Sequence, residues 1–107
     1  MNDAVYAYLK KYARNQRTVT YGDIAPLADL DMQNPAHREA LSGILGEISQ
    51  HEHENDRPML SAIVVSKDSS MPGKGFFDLA RALGVYHGDD LTFFSDELKR
   101  VYRQWSE

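Results

Sequence analysis

Pro26 follows Tyr21 to Ala25, the run that opens a second helix, and by deciding where that helix begins it limits what this chain can fold into more than any other residue. Deep inside a helix a proline removes a hydrogen bond and costs about 3 kcal/mol. Within the first turn its missing N–H has no intrahelical partner to lose. With Asp23 as N-cap, Pro26 falls at the third helical position, and the helix runs from about Ile24 to Ala28 or Leu30. Such a short helix is expected to be the second element of a helix-turn-helix. The β-prone segment Arg17 to Tyr21 leads into it.

A second proline fixes the next element. Asn34-Pro35 is a start signal, with asparagine as cap and proline at the first helical position. Leu41, Ile44, Leu45 and Ile48 then repeat at helical spacing, which predicts the longest helix, to His51 or Glu54. Its small residues Ser42 and Gly43 offer a place for another segment to approach closely.

The remaining elements follow from periodicity and breakers. Val5, Tyr8, Leu9 and Tyr12 form the apolar stripe of a first helix over residues 3 to 15, with Asp3 as its candidate cap. Met59 to Ser66 reads as the clearest strand. A polar loop, Lys67 to Lys74, leads to a helix from Gly75 to Leu83 that stops at Gly84. Ser95 is the expected cap of a last helix, with Asp96 and Glu97 in its first turn and Leu98, Val101, Tyr102 and Trp105 inward. The fold class is therefore mainly α with a small β component: a winged-helix-like helix-turn-helix with two C-terminal helices added. Phe76, Phe77, Phe93 and Phe94 are expected in the core or between those last helices.

The 107 residues fit one domain spanning 1–107, and 42% hydrophobic content suffices for one modest core. The chain has no cysteine, which removes disulfides, thiolate nucleophiles and cysteine metal sites and favours a cytoplasmic setting. The start Met-Asn-Asp-Ala has neither a basic stretch nor an apolar run, so no secretory leader is expected, and no segment has the length of a membrane span. The net charge of −4 weighs against nucleic-acid binding, which needs a basic face. The cations are nevertheless grouped: Lys10, Lys11, Arg14 and Arg17 early, and Lys99, Arg100 and Arg103 late, around an acidic middle from Glu47 to Asp56.

The run Val19-Thr20-Tyr21-Gly22-Asp23-Ile24-Ala25-Pro26-Leu27-Ala28 resembles the start of the DNA-binding helix-turn-helix of alkylguanine-DNA alkyltransferases and alkyltransferase-like proteins. Asn34 to Leu45 is similar to their recognition helix, including the small pair. As an order of elements the resemblance covers roughly residues 3 to 85. It implies that Tyr21 touches the DNA backbone beside a flipped nucleotide. Alkyl transfer is not implied, because Leu60-Ser61-Ala62-Ile63 stands where the transferases carry a Pro-Cys-His-Arg motif. Glu39 stands where the alkyltransferase-like proteins keep an arginine that enters the DNA stack, with Arg38 adjacent. The runs Arg57 to Ala62 and Pro72 to Phe77 are also similar to segments of short bacterial proteins, which brings no function with it.

The candidate nucleic-acid contacts are Tyr21, the start of the long helix at Gln33, His37 and Arg38, and the loop lysines Lys67 and Lys74. Pro72-Gly73-Lys74-Gly75 precedes a helix and offers backbone N–H groups and a lysine to an anion, without the phosphate-loop spacing. Glu47 and His51 share a helix face, but His51 and His53 do not, so no metal is expected. Strand alternation places Ser61 and Lys67 on one side, yet no activating base accompanies the serine. The reading is a non-catalytic nucleic-acid-binding module, with no cofactor and with DNA as the expected partner. Two alternatives stand beside it: a protein-interaction or regulatory domain with the acidic 47–56 region facing solvent or a partner, and a small-molecule enzyme near Ser61 and His51. The sequence leaves the oligomeric state open.

Overall fold

The computed structural model is described over residues 1–106. It is mainly helical with one small β element. The order is α1 (Asp3–Arg14), β1 (Val19–Thr20), α2 (Tyr21–Ile24), a 3-10 turn (Ala25–Ala28), α3 (Pro35–Glu54), a second 3-10 turn (Leu60–Ile63), β2 (Val64–Val65), α4 (Lys74–Ala82) and α5 (Asp90–Trp105). The two strands pair in parallel, Val19 with Val64 and Thr20 with Val65.

The hub is the segment Pro58 to Val65, in which every residue is buried. Helices α1, α3 and α5 all pack on its 3-10 turn. Val5 and Leu9 of α1, Leu41 and Ile48 of α3, and Phe93 and Val101 of α5 reach the core around it. A continuous buried run has no solvent face, so nothing enforces the alternation of a half-exposed strand. The strand expected over Met59 to Ser66 is accordingly reduced to Val64–Val65. Before it, side chains take over the backbone bonding. Glu97 accepts the Met59 N–H at 2.9 Å, and Ser49 Oγ accepts the Ser61 N–H at 3.1 Å. The 3-10 turn also removes the alternation that put Ser61 and Lys67 on one side: Ser61 is buried and Lys67 is exposed.

Helix starts differ in three places. Asn2, not Asp3, caps α1, with Asn2 Oδ1 accepting the Val5 N–H at 3.0 Å. Thr20, not Asp23, caps α2, through a reciprocal box: Thr20 Oγ1 accepts the Asp23 N–H at 3.2 Å and Asp23 Oδ2 accepts the Thr20 N–H at 3.0 Å. The α-helical part ends at Ile24, and Pro26 sits near the start of the 3-10 turn that follows. The last helix begins at Asp90, capped by Asp89, whose Oδ1 accepts the Thr92 N–H at 2.8 Å, and not at Ser95. Asp96 and Glu97 therefore lie mid-helix, and Glu97 is buried. The earlier start brings Phe93 and Phe94 onto α5, where they join the common core and make α5 part of it.

Asn34 and Pro35 start α3 as expected, with Asn34 Oδ1 accepting the Ala36 N–H at 2.9 Å. Near the end of α3, Glu52 points into the protein and is fully buried. Arg57 holds it with two bonds, Nη2 to Oε2 at 2.7 Å and Nε to Oε1 at 3.0 Å, and the Tyr6 hydroxyl donates to Oε2 at 2.8 Å. The acidic 47–56 region is thus not wholly a solvated face.

Candidate functional site

Helices α3 and α4 and the start of α2 enclose a cavity of about 330 Å³. Its apolar floor is made by Met32, Leu45, Phe76 and Leu79. Polar groups ring it: the Tyr21 phenol, the hydroxyls of Ser42, Ser61 and Ser66, and the cations Arg38 and Lys74. An apolar lining with a few convergent polar groups is the usual make-up of a small-ligand or base-sized site.

Local structure explains how these residues meet. The capping box starts α2 at Tyr21, and the phenol spans to the loop before α4, where its oxygen accepts the Gly73 N–H at 2.7 Å. Residues 52 apart in sequence are joined by this bond. Burial raises the Tyr21 pKa above its ordinary value, opposed by the Gly73 N–H, so the phenol keeps its proton and its O–H remains a donor at neutral pH. A Cβ on Gly73 would lie 3.3 Å from the Tyr21 hydroxyl, so the loop approaches the ring closely at that point.

The close contact between α3 and α4 is made by Ser42, not by the pair Ser42-Gly43. A Cβ on Gly75 would fall 2.7 Å from Ser42 Oγ, whereas Gly43 faces open space. Ser61 forms the deep wall. Its hydroxyl shares a 2.6 Å hydrogen bond with Ser49 Oγ, and both side chains are buried. A serine paired with a serine has no general base to activate it. His51 lines a different cavity, beside Glu47 and Glu54, and packs edge-on against Tyr6 at 5.8 Å. Among the described residues the two proposed parts of an enzyme site therefore line separate cavities.

Of the six candidate contacts, Tyr21, Arg38 and Lys74 line the cavity. Gln33, His37 and Lys67 do not line it. Gln33 is exposed in the turn before α3, where its N–H donates to Asp31 Oδ1 at 2.9 Å. His37 Nδ1 accepts the Asp31 N–H at 3.0 Å, which leaves the neutral ring's proton on Nε2 and makes the side chain a brace for that turn. Lys67 is exposed in the turn after β2. Lys74 Nζ pairs with Asp78 Oδ2 one turn along α4 at 2.5 Å. Both side chains are largely exposed, so the pair is weakly held and open to competition by another anion. The lining residues that sequence reasoning passed over as site residues, Met32, Ser42 and Phe76, come from the turn before α3, from α3 and from α4, and only the folding of the chain brings them together.

No described helix is long and apolar enough to cross a membrane. Comparison with known family models, with curated proteins and with solved structures finds no match to this chain.

Proposed function

We propose that this chain is a non-catalytic nucleic-acid-binding module. Its contact face is centred on the α2–α3–α4 cavity. The observation that carries this reading is the convergence of Tyr21, Arg38 and Lys74, from three separate elements, on one cavity with an apolar floor. Cations at the rim suit phosphates, and an apolar floor beside a phenol suits the face of an unstacked base. In this reading the α2–α3 pair serves as a helix-turn-helix within a winged-helix-like arrangement, and the 66–73 loop occupies the place of the wing. Glu39 next to Arg38 lowers the affinity of this face for DNA, and Asp78 holds Lys74 until a phosphate replaces it.

Fluorescence anisotropy with short single- and double-stranded DNA at low salt tests the proposal. Binding is expected with a salt dependence that falls by about 0.9 in slope for each rim cation removed, in Arg38→Ala or Lys74→Ala. Tyr21→Ala is expected to lose about 1–3 kcal/mol of binding, the worth of one stacked base, whereas Tyr21→Phe retains most of it. Absence of binding at tens of micromolar protein, weaker than ordinary non-specific affinity, sinks the proposal.

A further inference from the structure

The cavity between α2, α3 and α4 has a lining rich in hydrogen-bond donors and free of carboxylates. Asp and Glu make up 16 of the 107 residues, yet none lines it. The charged residues that do are both cations, Arg38 on α3 and Lys74 on α4. Among the described residues Arg38 forms no ion pair, and Lys74 is held by Asp78 from outside the lining.

The hydroxyls add donors that the protein leaves unspent. The Tyr21 oxygen accepts the Gly73 N–H, and its own proton has no acceptor among the described residues. Ser49 Oγ and Ser61 Oγ stand 2.6 Å apart and share one hydrogen, although each carries one. Ser49 is fully buried and meets no other acceptor among the described residues, so its proton is the shared one. The Ser61 proton is then left over, on a residue that is 5% exposed and lines the cavity. The start of α4 adds to this excess. Gly73 has no side chain to cap the helix, and the first turn carries no acidic residue.

We infer that this cavity takes a free small organic anion, an apolar body carrying one phosphate group, in the absence of any nucleic acid. The inference rests on the same convergence of Tyr21, Arg38 and Lys74 as the nucleic-acid reading, but it needs no strand. A phosphate monoester brings acceptors and negative charge to a lining with surplus donors and two cations. A neutral apolar molecule leaves those donors and cations unanswered. Inorganic phosphate leaves the floor of Met32, Leu45, Phe76 and Leu79 open to water. The volume of about 330 Å³ lies at the small end of ligand sites and suits a single ring with its phosphate. The Lys74–Asp78 pair is exposed, so exchanging Asp78 for a phosphate costs little.

The test is an NMR titration of the intact, isotope-labelled protein with phenyl phosphate, at low salt and without nucleic acid. Saturable binding is expected with a Kd of about 1 mM or tighter, the scale for a ligand of this size. The amide shifts are expected to concentrate at Ser42, Gly73, Lys74 and Gly75. Inorganic phosphate and phenol, the two halves of the probe, are each expected to bind at least about tenfold more weakly. Arg38→Gln and Lys74→Gln are each expected to weaken phenyl phosphate roughly tenfold, the worth of a hydrogen bond to a charged group, while Lys99→Gln leaves it unchanged. No saturation by about 10 mM, shifts scattered over the surface, or unchanged binding in both cavity variants overturns the inference. So does equal affinity for phenyl phosphate and inorganic phosphate. Phenyl phosphate binding without DNA binding keeps the inference and removes the nucleic-acid reading; DNA binding without phenyl phosphate binding does the reverse.

Discussion

Glu52 is a carboxylate with no exposed surface, and its charge is tolerated because two partners give it three hydrogen bonds. Arg57 approaches with two parallel N–H groups and Tyr6 adds a third donor, which is the geometry that offsets desolvation of a buried ion. The Glu52 carboxylate and the Tyr6 hydroxyl hold the Arg57 guanidinium firmly in its charged form, with its pKa raised above the usual arginine value. The pair ties the end of α3 to the first turns of α1. Arg57 also lies 5.8 Å over the Trp105 ring, so the same residue reaches α5. Removing one partner strands the other. Arg57→Ala is expected to destabilise the fold by about 3–5 kcal/mol, measured by urea denaturation. Exchanging Arg57 and Glu52 together for apolar residues of similar volume is expected to cost much less, and equal losses in the single and double variants would refute this account. The candidate site was legible at this scale only in part. Tyr21, Arg38 and Lys74 stood out by residue type and position, but a bond between Tyr21 and Gly73 across 52 residues leaves no local pattern.

At the scale of elements, the ends of α1, α3 and α4 were legible to within a residue, while α1, α2 and α5 start from caps other than those expected. Asn34-Pro35 announces α3 in its side chains, and Gly84, at φ 76°, announces the end of α4. Three other stops place ordinary residues in the left-handed region: Gln16 at φ 54°, Asp29 at 56° and Asp56 at 60°. Asp is among the residues that enter this region most readily, which Gln is not. After α1 the chain turns back at Gln16, with the Arg17 N–H bonding to the Tyr12 carbonyl at 3.0 Å and the Gln16 N–H to the Ala13 carbonyl at 3.1 Å. That is the pattern a glycine usually completes. Gln16→Gly is therefore expected to stabilise the protein by about 0.5–1 kcal/mol, the relief of the left-handed strain less the entropy of a freer unfolded chain. A lowered midpoint in thermal denaturation would show that the Gln16 side chain contributes more than its backbone costs. The same logic explains the misplaced start of α5. Asp89 and Ser95 are both good caps by residue type, and only the burial of Phe93 and Phe94 selects the earlier one.

At the scale of the molecule, one core serves every helix. The segment Pro58 to Val65 is buried from end to end and is packed by α1, α3 and α5. Composition announced that a single core was affordable, and the apolar run at Ile63 to Val65 announced its centre, but the role of α5 was not visible in its own periodicity. Glu97 shows that role most directly. Its side chain leaves α5 and accepts the Met59 N–H, so the last helix completes the hydrogen bonding of the central segment. Phe93 and Val101 are fully buried and Phe94 is 8% exposed. At roughly 1.5–3 kcal/mol for each buried apolar side chain, these three contribute about 5–9 kcal/mol. Losing the Glu97 carboxylate leaves a buried N–H unpaired, at about 1–3 kcal/mol more. The sum is comparable to the 5–15 kcal/mol by which a small domain is stable at all. A chain ending at Gly88, without α5, is therefore expected to lose cooperative unfolding altogether. It should show a gradual, non-sigmoidal loss of helical ellipticity on heating. A sharp transition in that truncated chain would mean that α1, α3 and α4 close a core of their own, and that α5 is an addition to it.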